Sequence, residues 1–226
     1  MSLIVKICGL STPETLDVAL DAGADMVGFV FFPPSPRNLG FDAARTLGER
    51  VRLRAQKVAL TVDADDVLLN AVVEALHPDI LQLHGHEPPQ RVAALQERFG
   101  LPVMKAIAVE TAADLAGIAA YAHIADRLLF DARPPRTATR PGGLGKTFDW
   151  RLLENIDPGA PFMLSGGLDA GNVGTAVRIT NAPAVDVSSG VERAPRVKDP
   201  DKIRAFVRAA RQAVAATPAA AVSSTL

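Results

Sequence analysis

Two groups able to move protons stand at the ends of apolar runs: Cys8, the single cysteine, after Leu3–Ile7, and Asp131 after Leu128-Leu129-Phe130. A cysteine alone is most often an inert small hydrophobe, and a lone aspartate is as often a turn residue. At the C-terminal ends of strands in a closed parallel barrel, both would instead face one mouth. There one group could remove a proton while the other donates one. Alternation along the first run sets Ile4, Lys6 and Cys8 on one face and Leu3, Val5 and Ile7 on the other. The wholly apolar set suits a helix layer, so Lys6 and Cys8 are predicted to point inward. A nearby ammonium would favour a thiolate. An inward Lys6 needs a counter-charge, and Asp186, between the outward Val185 and Val187, offers one.

A second chemistry is anion binding. The turn Ser165-Gly166-Gly167-Leu168 follows the apolar run Phe162–Leu164, and Ser188-Ser189-Gly190 follows Ala184–Val187. Glycines here would let backbone N–H groups approach an anion that a Cβ would push away. In a barrel of eight βα units, the loops after strands 7 and 8 form the habitual phosphate site. Arg37, at the end of the stiff loop Pro33-Pro34-Ser35-Pro36, presents a planar fork suited to a carboxylate or phosphate. It is expected near the end of strand 2, across the mouth from the phosphate turns. Gln82 and His84 share a face of the run Ile80–Leu83 and are expected, with Lys6 and Asp186, to line the mouth. His84-Gly85-His86-Glu87 lacks the supporting histidines or cysteines of a metal site, so no metal is expected. Gly145-Lys146-Thr147 resembles the end of a P-loop, but Arg140 stands where that motif requires glycine.

The elements that must position these residues alternate with a period of about 25 to 30 residues, the rhythm of βα units. Strands are expected at 3–8, 26–31, 57–62, 80–83, 103–107, 127–131, 162–164 and 184–187. Helical segments are expected at 13–22, 41–50, 65–76, 89–99, 112–120, 150–155, 172–179 and 199–215. Eight such units give an α/β fold, a single-domain (β/α)8 TIM barrel over residues 1–216, with 217–226 a flexible tail. The insert 132–146, rich in Pro and Gly, follows strand 6 and reads as a lid over the mouth.

A net charge of −1 gives no electrostatic reason to expect nucleic acid or an anionic membrane as partner. No apolar run reaches the roughly 18 residues that span a bilayer. The chain enters a strand without a leader pattern, and one cysteine forms no internal disulfide, so a cytoplasmic location is expected.

Seven motifs then fall in one register: Lys6-Ile7-Cys8-Gly9; Gly28-Phe29-Val30-Phe31 with Ser35-Pro36-Arg37; Leu81-Gln82-Leu83-His84-Gly85; Leu129-Phe130-Asp131; Gly142-Gly143-Leu144-Gly145 with Phe148-Asp149-Trp150; Leu164-Ser165-Gly166-Gly167-Leu168; and Val185-Asp186-Val187-Ser188-Ser189-Gly190-Val191-Glu192. Together they closely resemble the phosphoribosylanthranilate isomerases of tryptophan biosynthesis, from about Leu3 to Ala215. One departure is Leu144, where that family more often has threonine. The resemblance implies an Amadori rearrangement of N-(5-phosphoribosyl)anthranilate to 1-(2-carboxyphenylamino)-1-deoxyribulose 5-phosphate. By resemblance Asp131 is the general acid, Cys8 the general base and Arg37 the holder of the anthranilate carboxylate. Gly166, Gly167, Ser188, Ser189 and Gly190 hold the phosphate. It also implies no metal or organic cofactor, a small phosphorylated substrate as the partner, and a monomer or homodimer. A metal-dependent pentose-phosphate epimerase, a non-catalytic phosphate binder and the sister isomerase of histidine biosynthesis are the other readings of such a barrel.

Overall fold

Strand alternation separates the buried apolar residues into two clusters in this computed structural model, which describes residues 3–135, 137, 138 and 140–215. Eight parallel strands close on one another: β1 Ile4–Cys8, β2 Met26–Phe31, β3 Gln56–Thr61, β4 Ile80–Leu83, β5 Val103–Val109, β6 Arg127–Ala132, β7 Phe162–Leu164 and β8 Ala184–Val187. Residues of one parity, including Met26, Val58, Ile80, Met104, Leu129, Met163 and Ala184, pack together with Ile4 against them. Those of the other, such as Val5, Ile7, Val27, Phe29, Leu81, Leu128 and Val185, join the apolar faces of the surrounding helices. The helices are α1 Pro13–Asp21, α2 Phe41–Val51, α3 Asp66–Leu76, α4 Pro89–Phe99, α5 Val173–Thr180 and α6 Pro200–Ala215.

Local chemistry sets several boundaries. Thr12 accepts a hydrogen bond from the Thr15 amide and Pro13 opens α1, the arrangement expected of a hydroxyl cap before proline. Asp65 caps α3 in the same way. Two expected helices are 3-10 turns instead, over Ala112–Ala120 and Trp150–Leu153. The first is mostly alanine and buries only Ile118, so it lacks the apolar stripe that would hold a full helix against the barrel.

The register closes the barrel by pairing β1 with β8, Lys6 opposite Asp186. Beyond β8 lies an element the sequence did not suggest: a small antiparallel hairpin, β9 Glu192–Ala194 and β10 Val197–Lys198. The expected tail, 217–226, lies outside the described residues. Among the described residues no helix is long and apolar enough to cross a membrane.

Candidate active site

Inside the barrel the first polar layer is an ion pair joined by a hydroxyl. Lys6 Nζ donates to Asp186 Oδ1 at 2.8 Å, and Ser165 Oγ donates to Asp186 Oδ2 at 3.0 Å. Above it sits Cys8. Gly28 on the neighbouring β2 makes this stacking possible, because a Cβ there would lie 2.9 Å from Cys8 Sγ and 3.1 Å from Lys6 Nζ. Burial pushes the Cys8 thiol up, more than the Lys6 ammonium pulls it down, and Asp186 adds to the rise. This corrects the expectation of a thiolate: proximity of the cation is real, but desolvation of the anion outweighs it. For Lys6 burial works in the opposite direction, yet the Asp186 carboxylate keeps its pKa above the ordinary value.

Across the mouth Asp131 is held on both oxygens. Oδ1 accepts from the Ala132 amide at 2.9 Å, and Oδ2 lies 3.2 Å from His84 Nε2. His84 Nδ1 is in turn 2.9 Å from Gln82 Nε2. With the Gln82 amide nitrogen turned to the ring, Nδ1 is the acceptor and a proton on Nε2 would face Asp131. The neighbouring histidine and glutamate serve other contacts. His86 meets Asp63, and Glu87 receives Lys105 Nζ at 2.8 Å and the Asp63 and Gly85 amides.

The two turns after β7 and β8 pack directly on each other: a Cβ on Gly190 would lie within van der Waals overlap of the Leu168 carbonyl. Gly166 and Gly167 have φ of +86° and +62°. Their missing side chains are replaced by the protein's own backbone, since a Cβ would meet the Ala132 amide or the Lys146 carbonyl at 2.6 Å. Among the described residues no backbone carbonyl takes the N–H groups of Gly166, Gly167 or Leu168. Those amides are donors still to be satisfied. The glycines are thus required first by packing and backbone sign, and only through that do they expose amides.

Arg37 departs from expectation in its place. Rather than standing opposite the phosphate turns, it reaches back beside the second of them. A Cβ on Gly9 would lie 2.6 Å from Arg37 Cδ and 3.2 Å from Ser188 Oγ. Its Nε and Nη2 each donate to Glu192 at 2.7 Å, and Nη2 also donates to the Gly143 carbonyl at 3.2 Å. Lys198 Nζ donates to Glu192 Oε1, to the Ser188 carbonyl and to Ser188 Oγ. Burial opposes the Glu192 carboxylate, but the Arg37 hydrogen bond and the Lys198 charge outweigh it and hold its pKa below the ordinary range. Neither Glu192 nor Lys198 is among the site residues expected from the sequence. Glu192 was visible only as the end of a motif, and Lys198 carried no signal of its own.

The insert after β6 lies across all of this. Gly142 sits over the acid pair, where a Cβ would be 2.7 Å from Asp131 Oδ2 and 2.9 Å from His84 Nε2. Gly143 abuts Arg37 Nη1 in the same way, and Lys146 and Thr147 abut Gly167. One pocket results, walled by Cys8, Arg37, His84, Asp131, Asp186, the Ser165–Leu168 turn, Ser188, Ser189 and residues 140–146. Three expected residues are not on its wall. Lys6 and Gln82, with no exposed surface, lie beneath the floor and support Cys8 and His84. Gly190 supports the turn from behind by its contact with Leu168.

A closed parallel barrel of eight strands, with a thiol and a carboxyl in one pocket at its mouth, places the chain in the (β/α)8 class. Comparison with known proteins narrows the class. A sequence model described as N-(5'phosphoribosyl)anthranilate (PRA) isomerase matches residues 5–209. The chain is 70% identical over 213 residues to an N-(5'-phosphoribosyl)anthranilate isomerase of Nitrobacter winogradskyi, covering 94% of this chain and 95% of that one. It is 68% identical, with the same coverage, to one of Nitrobacter hamburgensis. Among solved structures, a phosphoribosyl anthranilate isomerase from Thermotoga maritima superposes with a TM-score of 0.84 at 35% identity, over 93% of this chain and 99% of that one. A second, in complex with reduced 1-(o-carboxyphenylamino)-1-deoxyribulose 5-phosphate, gives 0.82 at 32% with the same coverage. The chain belongs to the N-(5'-phosphoribosyl)anthranilate isomerase family and is an isomerase.

Proposed function

We propose that this isomerase acts in tryptophan biosynthesis, converting N-(5-phosphoribosyl)anthranilate to 1-(2-carboxyphenylamino)-1-deoxyribulose 5-phosphate by an Amadori rearrangement. The observation that carries this reading is the single pocket in which Cys8 and Asp131 come from different strands, β1 and β6, beneath a shared lid. Asp131, as general acid, protonates the ribose ring oxygen; the C1–O bond breaks and the anilino nitrogen's lone pair forms the iminium. Cys8, as general base, takes the C2 proton, and the C–H electrons flow into the iminium to give the enolamine. Tautomerisation of the enol then gives the ketone. The iminium is itself the electron sink, so the chemistry calls for no metal or organic cofactor.

The phosphate end is read as lying on the Gly166, Gly167 and Ser189 turns, where unpaired amides stand ready for an anion. The ring carboxylate is assigned to Arg37. A Thermotoga maritima relative is described as dimeric, with monomers generated from it, which supports a monomer or homodimer here. A free buried Cys8 thiol suits a reducing cytoplasm.

The test is a substrate deuterated at ribose C2. Turnover by the wild type is expected to show a primary isotope effect and to release the label to solvent, and Cys8→Ala and Asp131→Ala are each expected to lose at least about a hundredfold in kcat. Complete transfer of the label from C2 to C1, as in a direct hydride shift, or near-normal kcat in either variant, overturns the assignment.

A further inference from the structure

Arg37 is 4% exposed, yet its Nη1 has no acceptor among the described residues, and it lies against the pocket beside Gly143. The rest of the guanidinium is committed. The Nε/Nη2 edge is clamped by both oxygens of Glu192, and the remaining Nη2 proton faces the Gly143 carbonyl. A two-pronged clamp on one edge fixes the plane of the guanidinium and the direction of the opposite corner. Glu192 is fixed in turn by Lys198, which also grips Ser188 at the head of the second turn. Lys202 Nζ adds a bond to the Glu192 carbonyl at 2.8 Å. All these side chains sit on or beside the β9–β10 hairpin, outside the eight-strand frame.

We infer that Glu192 is a positioning residue for substrate specificity: it aims Arg37 Nη1 at the ring carboxylate, so that discrimination for a carboxylated aryl amine depends on Glu192. This rests on the assignment of Arg37 to the ring carboxylate. Glu192 touches no substrate atom in this arrangement and acts through Arg37. Without the clamp the guanidinium rotates about its long stem, and its free corner no longer has one direction. A preset donor is what lets a charged contact discriminate, because the ordering cost has been met before the ligand arrives.

The experiment compares two substrates made by condensing ribose 5-phosphate with either anthranilate or aniline, the second lacking only the ring carboxylate. The ratio of their kcat/KM values is measured for wild type, Glu192→Gln, Glu192→Asp and Arg37→Ala. A purely structural loss lowers both substrates together and leaves the ratio intact. Glu192→Gln is expected to lower the ratio at least about tenfold, through KM for the carboxylated substrate. Glu192→Asp keeps the charge that compensates Arg37 and Lys198 but is too short to span both guanidinium nitrogens, and its ratio is expected to fall as well. It serves where the Gln variant does not fold. A ratio unchanged or increased in the folded Glu192 variants, while Arg37→Ala collapses it, overturns the role of Glu192 alone. A ratio that survives Arg37→Ala overturns the assignment of Arg37 beneath it.

Discussion

Arg37 and Glu192 meet through two parallel hydrogen bonds, both 2.7 Å long, between groups that are each 4% exposed at the side chain. The pair is separated by 155 residues in sequence, and joins the loop after β2 to the first strand of the outer hairpin. It also explains why the position carries arginine. The side chain must face two partners at once, the glutamate behind it and the pocket in front, and only a delocalised fork has separate donors for both. Arg37→Ala is expected to cost about ten- to a hundredfold in kcat/KM, the scale of one lost charged hydrogen bond. Arg37→Lys should recover only part, since an ammonium drawn to Glu192 leaves the pocket. Full recovery by lysine in steady-state kinetics would show that simple charge suffices.

The Cys8 thiol makes a pH prediction. In the proposed mechanism Cys8 is the general base, which works only after losing its proton, and burial places its pKa above the ordinary thiol value. The kcat profile should therefore rise with pH and level off only above about pH 8.5, the usual thiol range. Lys6 lowers the Cys8 pKa while Asp186 raises it, so Lys6→Met, which leaves Asp186 behind, should move the rising limb to still higher pH. A limb that moves down, or stays, assigns the titration to another group.

Lys6 and Asp186 also bear on stability. The pair is fully enclosed, with side chains 0% and 5% exposed. Removing one member strands the other charge, at a typical cost of about 3–5 kcal/mol. Lys6→Met and Asp186→Leu should each destabilise on that scale in denaturant titration, and the double variant should be substantially more stable than the sum of the two losses implies. Strict additivity would show that the two charges are not coupled.

The lid supplies a steric test. Gly142 has an ordinary backbone conformation, so alanine costs it little there, yet its new Cβ would press on Asp131 Oδ2 and His84 Nε2. Gly142→Ala should leave the melting temperature nearly unchanged and lower kcat/KM by about tenfold or more, because Asp131, the proposed acid, is displaced or the insert held off. Gly117→Ala, which meets nothing within 4 Å, is the matched control with full activity. Equal activities would mean the lid stands clear during turnover.

Much of this arrangement was legible in the sequence where a period carries it. The alternation of Ile4, Lys6 and Cys8 placed a lysine and a thiol inside the barrel, and closure of eight strands required Asp186 as its neighbour. What escaped has no period. Glu192 and Lys198 stand on a two-strand hairpin after the last barrel strand, and their partners, Arg37 and Ser188, are fixed only by the folded loops. The ionisation of Cys8 escaped for another reason: the sequence shows that a cation is near, but the balance against burial depends on how many atoms close over the sulfur. Arg37's place failed likewise, because a loop's direction over the mouth is not encoded in its length.

The glycines of the insert have a consequence for redesign. At Gly142 and Gly143 the roof of the pocket is bare main chain, so near Asp131, His84 and Arg37 that an added Cβ would press on them. At those two positions there is nothing to trim. A bulkier aryl amine could be accommodated by shortening wall residues such as Val30, Leu60 or Val62 on the β2–β3 side, while Gly142 and Gly143 accept only changes that add no atoms. The pocket is therefore lopsided in what it can evolve: room can be gained where side chains form its wall, and none can be gained at Gly142 and Gly143.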